Sequence, residues 1–155
     1  MGTLRKFASI GIRKIAGGRD PLNVTKDFIL SLEADPNKSC QQKSSENMRW
    51  LVELSEEDEL EIILDGINTP AQSTIYLGIN AYTVPIRNAL EVLALALSIA
   101  DGLVGIKLSL VNNFLVLSSC SSANDLSLED LKFYYDLLIS QRNWFIETLE
   151  AELKA

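Results

Sequence analysis

The chain has 155 residues, of which 47% are hydrophobic and 23% charged, and its net charge is −7. That size fits one domain with a self-sufficient core, and the apolar fraction excludes a disordered chain. The absence of histidine excludes Ser-His-Asp and Cys-His triads, the commonest zinc sites and the usual proton shuttle near neutral pH.

Charge is unevenly spread. Residues 1–20 hold five basic residues (Arg5, Lys6, Arg13, Lys14, Arg19) against Asp20, a net of +4; the other nine basic residues face twenty acids, a net of −11. On a helix of 100° per residue, Leu4, Phe7, Ala8, Gly11 and Ile15 share a face, and Lys6, Ser9 and Arg13 lie opposite. We read residues 1–20 as a basic amphipathic N-terminal arm and residues 21–155 as a single α+β domain. Leu4, Arg5, Lys6, Phe7, Arg13 and Lys14 are its candidate contacts. The arm either docks on the acidic body or lies on a partner or, weakly through residues 4–15, on an anionic membrane. It lacks the continuous apolar run of an export signal, and Lys6 breaks the myristoylation pattern, so a cytoplasmic protein is expected.

Asp20-Pro21 restarts the chain as an N-cap and first helical residue. Residues 22–34 read as a helix with Val24, Phe28, Ile29 and Leu32 on one side. The polar stretch 36–47 reads as a loop. Residues 48–55 and 59–67 alternate as a hairpin around Glu56-Glu57-Asp58, and residues 74–80 form a third strand, with Tyr82 and Val84 continuing it or belonging to a bulge. After Pro85, residues 86–100 favour helix, and the near absence of charge predicts that this helix is almost wholly buried. Residues 105–111 and 114–119 form a hairpin turning at Asn112-Asn113. Ser127 caps a last helix of about 25 residues, whose stripe Leu128, Leu131, Tyr135, Leu138, Phe145, Leu149 is interrupted by Arg142.

Chemistry is sparse. The acid run Glu56–Glu59 lacks calcium-loop spacing and reads as a solvated turn. Gly102-Leu103-Val104-Gly105 follows a helix and precedes a strand, the reverse of a phosphate loop. Ser118, Ser119, Ser121 and Ser122 have no histidine base and no GxSxG. No metal set has the right spacing. Cys40 and Cys120 read as free thiols in a reducing compartment. The acidic body repels nucleic acid, because binding it needs cations that displace counterions. We therefore expect no enzyme, no cofactor, no metal and no nucleic acid. Protein contact remains, for which Trp50, Tyr76, Tyr82, Tyr134 and Trp144 are candidate anchors by residue type.

The resulting element order is α-β-β-β-α-β-β-α, with an antiparallel sheet and helices packed on it. That order, with the segments Asn88–Asp101 (NALEVLALALSIAD), Lys107–Leu117 (KLSLVNNFLVL) and Leu126–Leu131, resembles the type III secretion chaperone-like fold over about residues 22–153. The group includes CesT-type secretion chaperones and YbjN-like bacterial regulators. The resemblance implies a small, acidic, non-enzymatic protein, often a homodimer, that holds another protein. In the secretion chaperones an unfolded effector segment wraps around the sheet and apolar grooves. We expect a chaperone or adaptor of this kind; the alternative is a membrane-surface or ligand-sensing regulator that uses the basic arm.

Overall fold

A computed structural model describes residues 20–44, 48–66 and 72–155. The arm residues Leu4, Arg5, Lys6, Phe7, Arg13 and Lys14 lie outside the described residues.

Helix α1 spans Pro21–Glu33. Its start is fixed locally: the Asp20 carboxylate accepts from the Leu22 N–H at 3.1 Å, and Pro21 occupies the first turn, where its missing N–H costs nothing. Val24, Phe28, Ile29 and Leu32 are buried.

The next element departs from expectation. Within the stretch read as a loop, Ser39–Ser44 forms strand β1. It pairs antiparallel with β2 (Arg49–Glu53), from Ser39 opposite Glu53 to Ser44 opposite Arg49. A strand at a sheet edge is held by backbone hydrogen bonds on one side and needs no apolar alternation. The polar sequence SCQQKS therefore carried no sign of it.

Strand β3 (Glu59–Asp65) completes the expected hairpin with β2, and β4 (Thr74–Thr83) follows. A register irregularity between Asn80 and Tyr82 marks the bulge near the end of β4. Helix α2 spans Ala89–Ala100 and leads to β5 (Lys107–Val111) and β6 (Phe114–Ser122). Between those strands Asn112 takes a left-handed φ of +58°, which asparagine tolerates better than most residues. The last helix, α3, spans Leu128–Lys154. Its capping box is complete: the Asp130 N–H donates to Ser127 Oγ at 3.1 Å, and the Ser127 N–H donates to the Asp130 carboxylate at 3.0 Å.

Among the described residues, six strands run antiparallel in the order β1-β2-β3-β4-β6-β5. Alternation puts Leu60, Ile62, Leu64, Ile75, Leu77 and Ile79 on one face, where all are buried. They form a single cluster with the inward residues of α1, α2 and α3. Helix α3 crosses over β4 and β6, with α1 on the β1–β3 side and α2 beside β5 at the far edge. The other sheet face carries Arg49, Glu59, Glu61 and Tyr76, none of them fully buried.

Candidate protein-binding surface

The edge position of α2 decides what its apolar residues do. Among the described residues, the helix packs chiefly against α3 and β5. Val92 and Ala96, one turn apart, point inward and are fully buried. Leu90 and Leu97 point outward and are 84% and 68% exposed. The expectation of an almost wholly buried helix is thus corrected: a helix at a sheet edge has covered neighbours on one side only. Ile86, in the turn before α2, is also exposed. Glu91 is the one charged residue in the twelve of α2.

Between α2 and β5 runs a groove of about 210 Å³, lined by Leu93, Ala96, Leu97, Leu108, Leu110 and Leu115. Leu110 and Leu115 face each other across the β5–β6 ladder, on the helix side of the sheet. The groove is therefore a surface continuation of the core and not a separate cavity. Large exposed apolar residues contiguous in this way mark contact sites on soluble proteins.

Two further hollows differ in character. One, of about 220 Å³, lies on the uncovered sheet face between the Arg49–Glu61 ion pair and Phe114. Tyr76 lies there across Gly78, where a Cβ would collide with the phenol ring. Burial, with Glu61 nearby, pushes the Tyr76 phenol above its ordinary pKa, against a hydrogen bond with Ser118. The other, of about 360 Å³, lies between α2 and α3 at Trp144. Among the described residues, no group of three or more His, Cys, Asp or Glu is placed to hold a metal ion, and no helix is long and apolar enough to cross a membrane.

No family model matches the chain, and no curated protein matches it. A solved structure does. A chain of the heterodimeric complex ExoU–SpcU from the type III secretion system of Pseudomonas aeruginosa matches with a TM-score of 0.50 and 20% sequence identity. The match covers 72% of this chain and 90% of that one. The fold is type III secretion chaperone-like.

Within this chaperone-like fold the five aromatic candidates do not converge. Trp50 points into the core and is 5% exposed, so it offers a partner almost no surface. Tyr76 sits on the uncovered sheet face, and Tyr82 is half-buried at the β4 bulge. Tyr134 is half-buried against Phe133, with ring centroids 5.9 Å apart. Trp144 is 42% exposed, ten residues and thus about 15 Å further along α3. Leu90, Leu97 and Leu110 were not singled out. The signal for Leu90 and Leu97 was present in the charge-poor run 89–100, which fits a helix buried by its own fold and a helix left open for a partner equally well.

The thiols sit apart. Cys40 is on β1 and Cys120 on β6, four strand spacings away, about 19 Å, which precludes a bridge within the chain. Both are free. Burial, and then Glu33, raises the pKa of Cys40, so little of it is thiolate at neutral pH. The acid run is partly structural: Asp58 pairs with Arg142 of α3, and its carbonyl accepts from the Leu54 N–H at 2.8 Å.

Proposed function

We propose that this protein is a non-enzymatic protein-binding module, a chaperone or adaptor that works as a homodimer. The outer side of α2 receives a second copy, and the groove beside β5 holds an apolar segment of a partner protein. The observation that carries this reading is the exposed apolar surface of α2 and β5, continuous with the core and almost free of charge. An apolar segment laid in such a groove gains roughly 25 cal/mol for each Å² it buries. The chaperone-like fold supports the reading, as does the complex of two different proteins in which the matching chain is found.

The test is a photo-crosslinking amino acid at Leu110, with a control at the exposed Asn124. The expected result is a covalent adduct of defined mass with one different polypeptide, formed from Leu110 and not from Asn124. Adducts from neither position, or equally from both, would overturn the assignment of the groove.

A further inference from the structure

The cleft between α2 and α3 is built differently from the groove beside β5. Its apolar part is Leu95, Ile99 and the half-exposed face of Trp144. The Trp144 ring lies across Gly102, where a Cβ would meet it at 2.7 Å, so the indole is held at the end of α2. Thr148 and Glu152 follow Trp144 at one-turn intervals along α3 and line the same cleft. Glu152 lines the cleft, Glu147 borders it one turn after Trp144, and the exposed Asp101 follows the last turn of α2 next to Gly102. This is an apolar, aromatic floor with an acidic rim, suited to an amphipathic segment with cations on its flanks.

Such a segment precedes Asp20 in the same chain. Leu4, Phe7, Gly11 and Ile15 supply an apolar face, and Arg5, Lys6, Arg13 and Lys14 supply the flanking charge. We propose that residues 4–15 dock on their own body, in the cleft between α2 and α3, with their apolar side on Trp144 and Ile99 and their cations on Glu147, Glu152 and Asp101. Length permits it. Residues 4–15 as a helix are about 18 Å long and residues 16–19 add a link of up to about 14 Å, while Phe28 of α1 meets Tyr135 about 14 Å from Trp144 along α3. Helix α1, which the segment leads into, itself packs on α3. Tethering raises the effective concentration of the segment at this cleft to about the millimolar range, which favours it over a separate cationic partner. The acidic rim opposes an anionic lipid surface at the same place. This inference concerns a different surface from the groove beside β5 and stands whether or not that groove holds a partner.

Zero-length carbodiimide coupling on the intact chain tests it, because it joins a lysine to a carboxylate only when they touch. The expected products, mapped by mass spectrometry, join Lys6 or Lys14 to Glu147, Glu152 or Asp101. In a mixture of light and 15N-labelled chains each product carries a single isotope label. The reversed rim D101K, E147K and E152K has no carboxylate at these positions and gives none of the links, so it serves as the blank. Adding K6E and K14E to that variant restores the links with their polarity exchanged. Absence of the links in the native chain overturns the proposal. Links of mixed isotope overturn it in favour of a second copy. Their loss on adding vesicles containing phosphatidylserine overturns it in favour of a membrane.

Discussion

At the scale of single residues, Arg142 is the most informative. In the sequence it interrupts the apolar stripe of the last helix, which marks it as odd without saying why. Its partner, Asp58, lies 84 positions away in the β2–β3 turn. No local pattern could supply that pairing; it exists because the fold lays α3 under the hairpin end. The two side chains are unequally buried, Arg142 13% and Asp58 32% exposed, and the Arg142 Nε is buried without a hydrogen-bond partner among the described residues. Removing either side chain therefore has unequal consequences. Asp58→Ala leaves a buried guanidinium uncompensated and is expected to cost about 2–3 kcal/mol. Arg142→Met leaves an aspartate that water can reach, fills the same space with an apolar chain, and is expected to cost less than about 1 kcal/mol. Urea unfolding of both variants measures the difference. An Arg142→Met cost equal to or above that of Asp58→Ala would show that the guanidinium contributes more than a paired charge.

At the scale of elements, what could be read from sequence followed the rule each element obeys. The caps at Asp20 and Ser127 are local chemistry and occur where the residues place them. The β2–β3 and β5–β6 hairpins have alternating apolar residues and short turns, and both form. Strand β1 is held by pairing alone and left no mark in its side chains. Helix α2 shows the other limit. Its residues state that they are apolar, not which of them will be covered, since coverage depends on a sheet order that only the whole fold sets. The two sides of this helix should respond differently to substitution. Val92→Ala empties a fully buried site and is expected to cost about 2 kcal/mol. Leu90→Gln, two residues away and 84% exposed, should stay within about 0.5 kcal/mol. Both are measured by urea unfolding of dilute protein, where association does not contribute. A large cost at Leu90 would mean that the outer side of α2 is covered within one chain.

At the scale of the whole molecule, the question is how much surface the stripe on α2 can offer. A helix of twelve residues is about 18 Å long. One side of it falls short of the roughly 800 Å² that each partner contributes to a standard interface. A stable homodimer must therefore extend beyond α2, and exposed apolar residues near it are Ile86 before the helix and Leu110 near the end of β5, on the helix side of the sheet. The Val84 N–H donates to the Asn113 carbonyl at 2.8 Å, which ties the chain just ahead of Ile86 to the turn between β5 and β6. Light scattering after size exclusion is expected to give twice the mass of the chain. Leu90→Asp, which places a charge in the middle of the surface without touching the core, is expected to give the monomer with its far-ultraviolet circular dichroism unchanged. A symmetric interface repeats the substitution in both copies, so one residue introduces two carboxylates into the contact. If the native chain is a monomer across the concentrations tested, the stripe is not a self-association surface. The outer side of α2 would then join the groove beside β5 as a single larger face for a different protein.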